Sequence, residues 1–492
     1  MTTPSKSNSR CPTGVEGLDD ILGGGLPRHR LYLIQGDPGV GKTTLALQFL
    51  LEGARLGETG LYITLSETKE ELEAVAGSHG WNLSRIKLFE LSSITEQLQG
   101  EIESTFFHPS EVELNRTTQA LLAEVERVNP VRVVFDSLSE MRMLAETPLR
   151  YRRQILQLKQ FFAGRNCTVL FLDDRSAGAK DLQIESIAHG VMSLQRTSPD
   201  YGVSRRQFHI QKVRGIRFRE GFHDLIIQRG GLVIFPRLVA AEHRVKFKRE
   251  HFPSGNKELD ALLGGGLDRG TSTMFMGPPG TGKSTIAIKF ALAAAQRREK
   301  VIFFSFDETI GTMMTRAAQL GMDLAPHIKS GMIRVEQIDP AEISPGELAQ
   351  RIRDAVTRDK TRMVVIDSIN GYLNAMPQER CLNLQLHELL AFLNQQGVIT
   401  LMMLAQQGMV GTMQSKVDLT YLADTVVLLR YFEARGEVKQ ALSVVKKRSG
   451  RHERTIREMK IGKSGIELGK PLTNLQGVLT GTPTFVKDES GK

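Results

Sequence analysis

A chain of 492 residues is long enough for two or three ordinary domains, each with its own core. Hydrophobic residues at 40% and charged residues at 24% are those of a soluble globular protein, and a net charge of +9 permits nucleic-acid contact without arguing for it. Three scattered cysteines, Cys11, Cys167 and Cys381, exclude a disulfide framework and a cysteine metal cluster, so a reducing compartment is expected.

Met1–Arg10 is polar and lacks the apolar run of a signal peptide, and no stretch of about 20 apolar residues offers a membrane span; a cytoplasmic location follows as an expectation. The first apolar run, Leu31–Ile34, leads into Gly36-Asp37-Pro38-Gly39-Val40-Gly41-Lys42-Thr43, which fits G-x-x-x-x-G-K-[ST]. An apolar helix, Thr44–Leu51, follows, so the motif sits in the strand–loop–helix setting it needs. Further strands are expected at Gly60–Leu65, Val131–Phe135 and Thr168–Leu172, with helices at Lys69–Ser78 and Thr117–Val128 between them. A β-rich, basic stretch, Arg205–Ile234, closes this half.

The pattern then starts again. Pro12-Thr13-Gly14, Leu18-Asp19 and Leu22-Gly23-Gly24-Gly25-Leu26 recur as Pro253-Ser254-Gly255, Leu259-Asp260 and Leu263-Gly264-Gly265-Gly266-Leu267. The offset from Pro12 to Pro253, 241 residues, also carries Lys42 to Lys283 and Glu67 to Glu308. Such a period marks two whole domains, 1–240 and 241–492, rather than a solenoid. The second half offers strands at Thr273–Met276, Lys300–Ser305, Met363–Ile366 and Val398–Leu404, and a β-rich end at Thr425–Ile466. Its loop, Gly277-Pro278-Pro279-Gly280-Thr281-Gly282-Lys283-Ser284, opens the helix Thr285–Ala295. The seam is expected near Arg237–Glu250, where Arg244-Val245-Lys246-Phe247-Lys248-Arg249 reads as a solvated linker. Beyond Leu475 the Gly/Thr/Pro-rich chain, ending in polar Val486–Lys492, is expected to fray. Strands alternating with helices give the fold class α/β, two tandem P-loop NTPase domains with mostly parallel sheets.

Each loop is a phosphate cradle. Gly36, Gly39 and Gly41, and Gly277, Gly280 and Gly282, let backbone N–H groups turn inward, and the helix N-terminus adds positive potential. With Thr44, Thr281 and Thr285 these positions are the candidate ATP contacts; Lys42 and Lys283 reach the β/γ-phosphates. Thr43 and Ser284 are candidate Mg²⁺ ligands, joined by Asp136 and Asp367, each ending an apolar strand before a serine. Glu67 and Glu308 follow the next strand and are candidate bases, with Asp307 beside Glu308 where the first half has Ser66. Thr68 and Thr309 leave open that these clusters only cap helices. Lys212/Arg214 and Lys446/Arg448, late in each half, read either as solvated strand ends or as cations reaching a neighbouring subunit's γ-phosphate.

Together, the duplicated lead-ins, paired P-loops, Glu-Thr signatures and terminal Lys-x-Arg pairs resemble the KaiC family of clock ATPases, from about Pro12 to Val486. The resemblance implies two RecA-like domains per subunit, a homohexamer with ATP and Mg²⁺ between subunits, ATPase activity, and a second ring that phosphorylates its own Ser/Thr residues. It places the two catalytic carboxylates on Ser66/Glu67 and Asp307/Glu308, so the first position has lost one. It places the trans cations on Lys212, Arg214, Lys446 and Arg448, and a residue packing near the second base on Leu320. The acceptor pair falls on Thr420 and Tyr421, of which only Thr420 can take a phosphate in that pose; Ser415 is a nearby alternative, and Thr420 could instead cap or pack a helix. Gly481–Val486 matches a segment before the family's activator-binding tail, and only six residues follow, so activator control is not expected. KaiB-like or other signalling proteins are the implied partners. A RecA-type ATPase acting on DNA is the alternative, with Gln406/Gln407 as nucleotide sensor, but Gly408–Val417 has one Lys and no aromatic for stacking, so nucleic acid is not expected. A scaffold that uses ATP only to assemble is the third reading.

Overall fold

The computed structural model describes residues 10–90, 109–174, 182–374, 382–408, 418–480 and 483–485. The chain divides into two compact units, Met1–Arg237 and Leu238–Lys492.

In the first unit nine strands form one sheet: β1 Leu31–Gly36, β2 Gly60–Thr64, β3 Ile86–Glu90, β4 Arg132–Asp136, β5 Thr168–Asp174, β6 Gly190–Thr197, β7 Arg205–Val213, β8 Phe222–Gln228 and β9 Gly231–Phe235. Their order is β9-β8-β7-β6-β1-β5-β4-β2-β3. From β6 to β3 every neighbour is parallel; β7, β8 and β9 add antiparallel hairpins. The second unit repeats the plan with β10 Ser272–Gly277, β11 Val301–Ser305, β12 Ile333–Gln337, β13 Met363–Asp367, β14 Ile399–Ala405, β15 Thr425–Ala434, β16 Glu437–Lys447, β17 Arg457–Gly462 and β18 Gly465–Pro471, in the order β12-β11-β13-β14-β10-β15-β16-β17-β18. These are the tandem RecA-like α/β domains expected.

The central strands read as unbroken apolar runs because helices cover both faces. Along β1, Tyr32 and Ile34 enter one hydrophobic cluster and Leu31 and Leu33 the other, as strand alternation requires. The two domains differ inside. Arg132, fully buried on β4, donates to Glu58 Oε2 (2.6 Å) and to the carbonyls of Phe49 and Pro12 (both 2.7 Å). The residue in the same sheet register of the second domain is Met363. These bonds to a carboxylate and two carbonyls offset most of the cost of burying the charge, although Arg132 Nη2 is buried without a partner among the described residues.

Every strand expected from the sequence is present, extended by a residue or two at its carboxyl end in most cases. The helix expected from Thr117 begins earlier, at Pro109. The frayed tail is corrected for the residues described: Leu475–Gln476 pairs antiparallel with Thr484–Phe485, and Val478 is buried against Phe432 and Ala441 of the β15–β16 hairpin. Two apolar anchors within a polar stretch outweigh its Gly and Pro content. Val486–Lys492 lies outside the described residues, as do Met1–Ser9, Cys381, Ser415, most of Gly408–Val417, and Gly481 and Thr482. The basic run 244–249 is exposed except for Phe247, which packs over Gly270 and Gly397. Among the described residues no helix is long and apolar enough to cross a membrane.

Candidate nucleotide sites

Helix α1, Lys42–Arg55, starts at Gly41, whose φ of 111° only glycine adopts without strain and whose Cβ would meet Ile227 Cδ1 at 2.7 Å. The P-loop therefore turns tightly between β1 and α1, over the carboxyl edge of the sheet. Lys42 folds back on its own loop, donating to the carbonyls of Gly36 (2.9 Å) and Asp37 (3.0 Å). It also forms an ion pair with Asp174 Oδ1 at 2.6 Å. Thr43 Oγ1 donates to Asp136 Oδ2 (3.4 Å), as does the Tyr62 hydroxyl from β2 (2.5 Å). Burial pushes Asp136 above the usual carboxylate range, with the Tyr62 and Thr43 bonds opposing.

Glu67 lies in the turn between β2 and helix α2, Lys69–His79. Its backbone N–H and C=O are both held by Thr64 Oγ1, at 2.9 and 2.8 Å. Thr68, not Glu67, caps the helix: its side chain accepts from Glu71 N, and Glu71 Oε2 accepts from Thr68 N. The Glu67 carboxylate is thus spared that duty. Its Oε2 is buried without a hydrogen-bond partner among the described residues, and burial, then the charge of Asp136, pushes it up to about 7.

The second site repeats the skeleton. Helix α3, Lys283–Gln296, starts at Gly282 with φ 94°. Lys283 donates to the carbonyls of Gly277 (2.8 Å) and Pro278 (2.7 Å), and burial pushes it down to about 8. Ser284 hydrogen-bonds Asp367, which burial and the charges of Asp307 and Glu308 raise. Thr309 caps helix α4, Ile310–Gln319. The carboxylates differ from the first site: Ser368 Oγ donates to Asp307 Oδ2 (2.5 Å), and Arg316 of α4 clasps Glu308 through Nε (3.1 Å) and Nη2 (2.7 Å) while Nη1 reaches Thr285 Oγ1 (3.0 Å). Leu320 ends α4, packed against the core.

The Lys-x-Arg pairs lie at the other edge. Lys212 pairs with Val191, which pairs with Leu33, three residues before Gly36 and two strands across. That puts it more than ~10 Å from its own P-loop at strand spacings. Lys212 donates to the Glu185 carbonyl and Arg214 to that of Ser186. Lys446 donates to the carbonyls of Thr420 and Ala423 (both 2.8 Å), and Arg448 to that of Tyr421 (3.0 Å). Thr420 stands in this turn with its hydroxyl on Asp418 Oδ1 (2.7 Å); it caps no helix. The structure thus brings Lys42, Thr43, Glu67 and Asp136 together, and likewise Lys283, Ser284, Asp307, Glu308 and Asp367. It keeps Lys212, Arg214, Lys446, Arg448 and Thr420 away from either loop of their own domain.

Sequence reasoning missed Tyr62, Asp174, Arg316, and the neighbours of each P-loop on the hairpin. Arg196 and Arg206 are direct cross-strand partners beside the first loop, with Arg196 Nη1 near Gly39; Tyr431 and Gln440 take these places in the second and donate to the carbonyls of Pro279 and Gly280. The 241-residue offset already sets Tyr62 against Phe303 and Val75 against Arg316. The 231-residue offset of Asp136 to Asp367 sets Asp174 against Ala405, and in the sheet register Asp174 faces Gly36 as Ala405 faces Gly277.

A divalent cation fits these residues. In each domain a P-loop hydroxyl aims at a buried carboxylate whose burial favours a nearby positive charge, and two hard oxygen donors suit Mg²⁺, which takes its remaining ligands from phosphate and water. Among the described residues no group of three His, Cys, Asp or Glu makes a cage of its own.

A family model described as ATPase: KaiC matches residues 11–239 and again 252–473. The circadian clock oscillator protein KaiC of Thermostichus vulcanus is 27% identical over 99% of this chain and 95% of its own length. That of Synechococcus elongatus is 26% identical over 99% and 95%, and the circadian clock protein KaiC2 of Synechocystis sp. 27% over 98% and 85%.

Proposed function

Since the chain belongs to the KaiC ATPase family, we propose that it binds and hydrolyses ATP at both P-loops, as a homohexamer with nucleotide between subunits, and transfers phosphate to Thr420. The observation that carries this is the repeated set of loop lysine, loop hydroxyl and strand-end aspartate, with a glutamate on the adjacent strand end. Loop N–H groups and Lys42 or Lys283 offset the triphosphate's charge. Thr43 with Asp136, and Ser284 with Asp367, would hold Mg²⁺, which when bound neutralises charge on the β- and γ-phosphate oxygens. Glu67, with its carboxyl pushed up to about 7, is poised to accept a proton from the attacking water, whose oxygen bonds to phosphorus as the bond to the β-phosphate oxygen breaks.

Lys212/Arg214 and Lys446/Arg448 sit too far from their own loops to assist there, which favours action on a neighbour's γ-phosphate. The same geometry applies to Thr420: its hydroxyl oxygen would bond to the γ-phosphorus of ATP held by the adjacent subunit as the bond to the β-phosphate oxygen breaks, with the Glu308 beside that ATP taking the hydroxyl proton. The relatives' names point to a signalling or timing role, with KaiB-like or other signalling proteins as partners. Incubation with γ-labelled ATP and phosphopeptide mapping tests the kinase step, and mass spectrometry of the intact complex counts subunits and phosphates. Label at Thr420 is expected; hydrolysis without it would leave an ATPase alone.

A further inference from the structure

The ion pair between Lys42 and Asp174 has no counterpart among the described residues of the second domain. Asp174 ends β5 beside Gly36, so its side chain emerges at the carboxyl edge where the loop cradles phosphate. Ser139 Oγ donates to its Oδ2 (3.2 Å), leaving Oδ1 on Lys42 Nζ at 2.6 Å. At the equivalent register stands Ala405, whose backbone is tied on both sides by Asn370, with 2.9 Å to its carbonyl and 2.6 Å from its N–H. Among the described residues Lys283 hydrogen-bonds to carbonyls, and the charge of Asp367 acts on it without an ion pair of that kind.

We propose that Asp174 is a nucleotide-displaceable counter-ion for Lys42, which lowers the nucleotide affinity of the first domain. The inference rests on nucleotide binding at both loops. A P-loop lysine leaves its own carbonyls when a triphosphate arrives, an exchange both domains share. In the first, Lys42 must also leave a carboxylate whose charge competes with the β- and γ-phosphates for the same ammonium. The pair is lopsided: the Lys42 side chain is 8% exposed and that of Asp174 41%, so the displaced carboxylate moves straight into water. An ion pair with one half-exposed member adds little to the stability of a fold. Its place on the ammonium that meets phosphate is what gives it an effect.

The test is equilibrium binding of a non-hydrolysable ATP analogue with Mg²⁺ to the full chain. Asp174→Asn in a Lys283→Ala background, where only the first site reports, is expected to bind roughly five- to tenfold tighter, the range of a partly exposed charge-assisted hydrogen bond. Ala405→Asp in a Lys42→Ala background is expected to bind weaker by a similar factor. Should either background variant not fold, binding to the otherwise unaltered chain serves instead, and Asp174→Asn should tighten one of its two sites alone. Unchanged or weaker first-site binding in Asp174→Asn overturns the proposal while leaving nucleotide binding intact; a merely structural role predicts weaker binding. A wild-type chain that binds no analogue overturns both.

Discussion

The two nucleotide sites share a skeleton and restrain opposite members of it. In the first, the loop lysine is held by a carboxylate, Asp174, and the glutamate carries a buried oxygen with no hydrogen-bond partner among the described residues. In the second, the lysine hydrogen-bonds two carbonyls and the glutamate is clasped by Arg316. Neither difference lies inside the P-loop motif. The duplicated motif thus repeats the cradle, while the side chains that surround it differ between the two halves.

The largest test breaks the comparison at its root. Lys42→Ala and Lys283→Ala should each remove one of two nucleotides per chain, lowering affinity at the altered site on the order of a hundredfold, because a desolvated ammonium facing phosphate is lost. Nucleotide counting on the purified complex checks it. Loss of both nucleotides from one substitution would mean that the domains are not separate sites.

Next comes Glu67→Gln. A positioned base contributes about 10²- to 10⁴-fold, so first-site turnover should fall at least a hundredfold at pH 8. With its pKa near 7, Glu67 is protonated below that value, so the wild-type rate should climb through pH 7 and the variant's should not. Linkage gives a second sign. The folded pKa is raised above the unfolded one, so the folded state prefers the protonated form, and stability is lost as pH rises from about 4.5 through 7. Glu67→Gln should therefore melt higher than wild type at pH 8 and about equally at pH 4. A lower melting temperature at pH 8 would show that the carboxylate is better paired than its geometry indicates.

A smaller change should make the sites converge. Arg316→Val installs the first domain's residue, Val75, and releases Glu308; second-site hydrolysis should rise about threefold, since one charge-assisted clasp is removed from the base. Val75→Arg should lower the first-site rate. Site-specific turnover in the matching Lys→Ala backgrounds reads both. A fall in the Arg316→Val rate would instead make Arg316 a positioning residue for Glu308.

These pairs also show how much the sequence disclosed. Four parallel strands of each half, both P-loops, Asp136 and Asp367, and Glu67 and Glu308 were legible because each is fixed locally, by an apolar run or a motif of adjacent residues, whereas the strands Ile86–Glu90, Gly190–Thr197 and Ile333–Gln337 were not. Arg316 could have been found by setting the halves against each other at 241 residues, since it replaces an apolar residue on a helix. Asp174 needs a second offset, because loops of unequal length lie between Glu67 and Asp136 and between Glu308 and Asp367. The shorter offset of Asp136 to Asp367, 231 residues, also carries Asp174 to Ala405, and strand register gives the same pairing. The tail failed for a different reason: Val478 finds its cover on a hairpin more than thirty residues away, which local composition does not encode.

Tyr62 gives the finest test. Its hydroxyl takes Asp136 Oδ2, the oxygen that Thr43 also addresses, and leaves Oδ1 unclaimed by either. Phe303, in the same register of the second domain, has no hydroxyl to offer Asp367. The bond opposes a burial that pushes the Asp136 carboxyl upward, and it leaves the other oxygen, Oδ1, for a cation to approach. Tyr62→Phe loses one hydrogen bond to a charged group at almost constant volume, so the fold should survive. Affinity for Mg²⁺-nucleotide at the first site should drop roughly two- to fivefold, recovered at higher Mg²⁺, while the second site is unchanged; Phe303→Tyr should move the second site the other way. Magnesium titrations of analogue binding in the two Lys→Ala backgrounds distinguish these outcomes. If Tyr62→Phe binds Mg²⁺-nucleotide more tightly, the phenol competes with the cation for Asp136, and the first domain would then restrain its aspartate as it restrains its lysine.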